Sequence, residues 1–237
     1  MARRPTRRRT PAQLGLPLKS TWGGSRKGAG RKPGKVRPTP HRARPLLASR
    51  FPVHVTLKVD GSLPSLRSDR LHRCVKDCLR QGKEREGFRL VHFSMQDHHL
   101  HLVVEANGAK ALSGGIRGLS IRAARRINRE LGRRGRVFVD RYFARVLKSP
   151  RQTRAALMYV LLNSRRHAAQ LGRKLAWNWV DGCSSGLWFD GWKDRRPRPP
   201  PEEEAPVAAA GTWLLSTGWR RHGLIPVNAV PGALTKS

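Results

Sequence analysis

The stretch FRLVHFSMQDHHLHLVVEA, residues 88–106, decides the fold. Two β-rich runs, Phe88 to Met95 and His99 to Ala106, flank the polar Gln96-Asp97-His98, which is the pattern of an antiparallel hairpin. Side chains alternate along a strand, so Leu100, Leu102 and Val104 share one side and His99 and His101 the other. One side of the hairpin is therefore suited to a core, and the other carries two imidazoles on a rigid element.

Working outward, Phe51 to Val59 alternates with Val53, Val55 and Leu57 on one side, a strand pattern, and Ser65 to Arg80 places Leu66, Leu71, Val75, Cys78 and Leu79 at helical spacing after a DGSLPS turn. Beyond the hairpin, Lys110 to Leu131 carries an apolar stripe of Ile116, Leu119, Ala123, Ile127 and Leu131, a helix pattern. Arg136 to Leu147 reads as a strand and Arg151 to Gln170 as a helix. The order β-α-β-β-α-β followed by α predicts an α+β, ferredoxin-like split βαβ antiparallel sheet, with two helices on one face and an added C-terminal helix.

Composition bounds the partner. The 237 residues hold 49 Lys plus Arg against 15 Asp plus Glu, a formal charge of +34, and such an excess most often neutralises phosphates. Nucleic acid is the expected partner. The longest nearly apolar run, AALMYVLL at 155–162, falls well short of the roughly 20 residues that span a bilayer, and the basic start MARRPTRRRT leads into no signal-peptide core. A cytoplasmic protein without a membrane partner is expected. The three cysteines make no even disulfide framework, and Cys74 and Cys78, four apart in a helical pattern, read as reduced core thiols.

Three segments follow from these patterns. Residues 1–50 carry 15 Lys or Arg and no acid, with Pro and Gly scattered among them, and read as a disordered basic arm able to track phosphates. Residues 51–171 hold the predicted α+β domain. Residues 172–237 form a Trp-rich extension with a Pro- and Glu-rich linker, PRPPPEEEAP at 197–206, and a last segment apolar enough to dock back on the domain. The aromatics of WNWVDGCSSGLWFDGW, residues 177–192, suit either stacking on unpaired bases or packing as a lid.

His99 and His101, on one side of a stiff strand, can both ligate one divalent ion, although a pair of hydrogen-bonded surface histidines would leave the same pattern. Tyr159 and Asn163 are i and i+4 in the last predicted helix, with Arg166 near the same line. Laid across the open side of the sheet, that helix would add an oxygen ligand and a phenol to the two imidazoles. A free tyrosine phenol costs about 3 kcal/mol to ionise near neutral pH, a cost that a divalent ion and nearby arginines offset by stabilising charge as it develops.

HLHLVVE, followed some sixty residues later by YVLLN, resembles the HUH-motif single-tyrosine transposases of the insertion-sequence IS200 type, and within them the REP-associated tyrosine transposase branch. The resemblance covers roughly residues 51–171. It implies that His99 and His101 bind Mg2+ or Mn2+, that Asn163 completes the metal site, and that Tyr159 attacks a single-stranded DNA phosphate. The implied products are a 5′-phosphotyrosine and a free 3′-OH that later rejoins strands without ATP. Single-stranded or hairpin DNA is the implied substrate. His98 stands where relatives often carry Asn, and Ser164 where Pro is frequent.

Tyr142 is the rival nucleophile, without an i+4 polar partner on a helix. Glu105, on the histidine side of its strand, suits a further ligand, an acceptor for a His N–H, or a plain surface acid. His54 and His92 read as structural. Thirteen Lys or Arg fall between residues 111 and 155 against two acids, so the surface near the site is expected to be positive, with Arg117, Arg122, Arg125, Arg126, Arg129, Arg133 and Arg166 as the DNA-contacting set. Two functions remain open at this level: a strand-cleaving and strand-joining enzyme, monomeric or homodimeric, and a catalytically silent DNA-binding protein of the same fold. A zinc hydrolase would need more ligands than HxH supplies.

Overall fold

The computed structural model describes residues 46–194 and 198–232; the basic arm up to residue 45 lies outside them. Strand β1 (Val53–Lys58) leads to helix α1 (Asp69–Gly82), the two-residue strand β2 (Glu84–Arg85), the hairpin β3 (Phe88–Met95) and β4 (His99–Ala106), helix α2 (Ala109–Glu130) and strand β5 (Phe143–Val146). Helices α3 (Pro150–Leu161) and α4 (Asn163–Gln170) follow, and the extension adds the short helix α5 (Trp213–Ser216) between 3-10 turns. The sheet order is β2-β3-β4-β1-β5, antiparallel throughout. Thus β4 lies between β1 and β3, and β1 lies between β4 and β5, the two interleaved βαβ units expected from the element order.

The register divides the sheet into two faces. Val55 pairs with Leu102 and Leu57 with Leu100, while the intervening pair is Thr56 with His101. The first set joins Leu71, Val75 and Leu79 of α1 and Leu112, Ile116 and Ile127 of α2 in one core. Gly115 is required there, since a Cβ at this position would lie 2.3 Å from the Phe88 ring; the glycine lets α2 approach β3. The opposite face carries a second core, in which Val91 and Val103 meet Leu157, Val160 and Leu161 of α3 and Phe189, Trp192, Trp219 and Ile225 of the extension. An irregularity in β3 between Leu90 and His92 breaks the alternation and turns Val91 into this second core.

Three local expectations are corrected. The last strand is short, Phe143–Val146, with only an isolated bridge from Val59 to Phe138 before it, because it pairs with β1 alone at the sheet edge. The last helix is divided at Leu162, whose φ of −113° and ψ of 16° end α3. The Pro/Glu segment is not a free linker: Glu203 pairs with Lys76 and Arg80, and Glu204 with Lys83, holding it along α1, and Val207 enters the first core. The extension also covers the open edge of β3, where Met95 N–H donates to Cys183 O at 2.8 Å and Ala208 N–H to Leu90 O at 2.8 Å. Cys74 and Cys78 are buried free thiols and Cys183 a half-buried one. No helix among the described residues is long and apolar enough to cross a membrane.

Candidate active site

Two cross-strand neighbours fix the imidazoles. On the face away from α1 and α2, His101 stacks between His99, at 6.2 Å between ring centroids, and His54 of β1, at 5.6 Å. Thr56 Oγ1 lies 3.2 Å from His101 Nδ1. With Nδ1 as donor, that bond orients the ring and leaves the Nε2 lone pair available. Burial, followed by the charges of His54, His99 and His167, pushes His101 down to about 3. His99 is also lowered, first by desolvation and then by Lys58, His98 and His167. Both rings are therefore neutral near pH 7, the form a metal requires.

Helix α3 crosses this face. Ser149 caps it by accepting from Gln152 N–H, Pro150 occupies its first turn, and Ala156, Leu157 and Val160 pack down on the sheet. Tyr159, half-buried, then meets His101 edge-on at 5.3 Å between ring centroids and His54 at 5.7 Å. The Arg166 guanidinium sits over the phenol ring at 5.6 Å. Tyr159, His101, His54 and Arg166 thus meet within a single chain.

Asn163 begins α4 at the Leu162 break and is 1% exposed, yet among the described residues neither its Oδ1 nor its Nδ2 has a hydrogen-bond partner. An unsatisfied buried carboxamide is costly unless something absent from the chain satisfies it. Helix α4 also brings Ser164 and His167 to the cleft that His99 lines. Among the described residues no group of three or more His, Cys, Asp or Glu is arranged to hold a metal. Neutral imidazoles and a carboxamide oxygen are donor types that suit a divalent ion.

The other expected site residues lie elsewhere. Arg117, Arg122, Arg125, Arg126 and Arg129 are exposed on α2, with Arg133 just beyond it, and α2 packs on the face opposite Tyr159. Of the expected arginine set only Arg166 touches the tyrosine, so the positive surface does not surround the site as anticipated. The physical reason is that the apolar stripe of α2 docks on the helix-covered face and its polar side turns outward from there. Tyr142, the rival, packs against the first core, on that same far face.

Glu105 is not beside the imidazoles either. Its carboxylate accepts from Gly211 N–H at 2.9 Å, and from Thr212 N–H at 2.7 Å and Thr212 Oγ1 at 2.8 Å, anchoring the extension. His92 is structural, buried against Phe189 with Nδ1 3.2 Å from Ser185 Oγ. His54, read from the sequence as structural, is the residue missed: it shares a strand face with Thr56, so the period of two was the available signal. His167 was missed as well, since it comes near the histidines only through the α3 to α4 bend.

A polar clamp ties α4 to the rest. Arg67 donates to Asp181 through both Nη atoms, at 2.8 and 3.0 Å, and to Ser164 Oγ at 3.1 Å, while Ser164 donates to the same carboxylate. Arg165 donates to the carbonyls of Ala176, Trp177 and Trp179 at 2.6 to 3.0 Å.

Residues 50–160 match the family model described as "Transposase IS200 like". No curated protein matches the chain. Among solved structures, that of a REP-associated tyrosine transposase bound to a REP hairpin is 12% identical, with a TM-score of 0.44, over 54% of this chain and 74% of that one.

Proposed function

Because residues 50–160 are an IS200-like transposase domain, we propose that this chain cleaves and rejoins single-stranded or hairpin DNA, with Tyr159 as the nucleophile. The observation that carries the reading is the contact of the Tyr159 and His101 rings, 58 positions apart in sequence, at 5.3 Å on one face of the sheet. The Tyr159 hydroxyl oxygen attacks the phosphorus of a strand phosphodiester, forming a P–O bond as the bond to the 3′ oxygen breaks. The phenol proton passes to solvent and the departing 3′ oxygen takes one up, leaving a 5′-phosphotyrosine and a free 3′-OH. Attack by a 3′-OH on that linkage reverses the exchange, so the bond energy is retained.

His99, His101 and Asn163 would hold Mg2+ or Mn2+, which when bound supplies positive charge against the phosphate oxygens. Thr56 fixes the orientation of the His101 ring, and its burial keeps protons from competing for the ring nitrogen. Arg166, over the phenol, favours the developing phenolate. The α3 packing holds the phenol in place, which lowers the entropy cost of attack.

The test incubates the full chain with hairpin DNA bearing single-stranded flanks and Mn2+, and looks for a protein–DNA adduct that survives denaturation. We expect adduct with the natural chain and none with Tyr159→Phe. Adduct from the Phe variant overturns the assignment of the nucleophile. DNA binding without adduct across hairpin substrates favours a silent DNA-binding protein of this fold.

A further inference from the structure

The Asn163 carboxamide is buried and, among the described residues, without a hydrogen-bond partner, so its position follows from the backbone on either side. Before it, Leu162 carries the break between α3 and α4. After it, Ser164 and Arg165 are both tied to the extension, Ser164 to Asp181 and Arg165 to the carbonyls of Ala176, Trp177 and Trp179. The place of the carboxamide is therefore set from outside α3 and α4.

Asp181 is the junction of these ties. Its carboxylate, 3% exposed, accepts from both Nη atoms of Arg67, from the Ser164 hydroxyl and from Cys183 N–H at 3.0 Å. Arg67 in turn donates to Met95 O at 3.0 Å, at the end of the strand that pairs with the histidine strand. One buried carboxylate thus joins the loop before α1, the start of α4, the extension and, through Arg67, the histidine hairpin. Charge-assisted bonds in a buried setting hold their geometry more firmly than neutral ones at the surface. His99 and His101 stand on β4 and Asn163 at the start of α4, so the spacing between these donors depends on how the two elements are joined. Ser164, Arg165 and Asp181 all lie beyond the matched segment 50–160, which makes the junction a property of this chain's continuation.

We propose that Asp181 is a positioning residue: acting through Ser164, it sets the start of α4 so that the Asn163 carboxamide is presented together with His99 and His101 to one divalent ion. The proposal rests on the DNA-cleaving reading, which gives Asn163 that role, and goes further in making the extension part of the site. Removing a group that orients a ligand without touching the metal weakens metal binding by about tenfold or more.

The experiment titrates the full chain with Mn2+ alone, following the paramagnetic resonance signal of the free ion. Ser164→Ala deletes the α4 hydroxyl and leaves the Arg67–Asp181 pair in place; it should weaken Mn2+ binding by about tenfold, and Ser164→Thr should restore it. Asp181→Asn should weaken binding at least as much, and Ser164→Ala keeps the test decisive if that variant does not fold. In an Asn163→Ala background, Ser164→Ala should cause no further loss, because both changes act through the same side chain. Unchanged Mn2+ affinity in Ser164→Ala, or an equal further loss in the Asn163→Ala background, overturns the positioning role and leaves the cleavage reading standing. Absence of Mn2+ binding by the natural chain also overturns it, and the adduct assay then decides the cleavage reading separately.

Discussion

The two faces of the sheet are built from the same strands and obey different rules. The face under α1 and α2 is apolar along its length, from Val53 and Leu57 to Leu90, Phe93 and Leu102. The face under α3 buries His54, His92, Ser94, His101 and Glu105 beside Val91 and Val103, and is closed by the extension rather than by a long helix. Burying polar groups costs stability unless they are partnered. Four of these five are partnered, His101 by Thr56, His92 by Ser185, Ser94 by Gln96 and Glu105 by the Gly211–Thr212 backbone, whereas His54 Nε2 and the Asn163 carboxamide have no partner among the described residues.

The largest test of this difference is Tyr159→Phe, which should abolish adduct formation while moving the thermal midpoint by only a few degrees, since one oxygen leaves and the ring stays. Melting followed alongside the adduct assay checks it; a collapse in stability would make Tyr159 a core residue like those of the other face. Trp219→Ala comes next. Trp219 is fully buried and its Nε1 donates to Leu215 O at 2.9 Å, so its loss should cost about 3 to 5 kcal/mol in urea unfolding, in the same transition as the sheet. Two separated transitions would show that the extension is a dispensable cover.

Acid separates the faces further. Burial holds His92 down at about 4, with Asp190 raising it slightly, whereas the unfolded ring titrates near 6.5. As the pH falls below about 6.5 the unfolded chain takes up the proton first, so the stability from the neutral ring is complete above that value and drains away toward 4. Between pH 7 and 5 this amounts to about 2 kcal/mol. Urea unfolding at the two pH values should show the loss in the natural chain and a correspondingly smaller one in His92→Leu. The smallest effect is expected from replacing Arg122, Arg125, Arg126 and Arg129 together with Gln. If they contact phosphates from the far face, the salt slope of single-strand binding should become shallower by about 3, with the cleavage rate at saturating DNA unchanged.

How much of this was legible before the fold was seen varies by residue. Strand β4 runs as its alternation predicts, because period-two patterning is a local property that burial on one face enforces, whereas β3 keeps its expected span but falls out of step between Leu90 and His92. The break at Leu162 carries no local signal: no Pro or Gly stands there, and the bend accompanies contacts of Ser164 with Asp181 and of Arg165 with carbonyls of residues 176 to 179. The α2 arginines were counted correctly and located wrongly, since composition gives a charge total and not the layer on which a helix lands.

The chain by itself determined the α+β order of elements, the shared face of His99 and His101, and an excess of positive charge, all of which depend on spacing and residue type. Tertiary structure alone decided that Tyr159 and His54 meet His101, that Asn163 is buried without a partner, that Glu105 anchors the extension, and that the arginine helix lies on the opposite layer. These depend on which surfaces bury each other across the whole chain, and a one-dimensional pattern does not encode that choice.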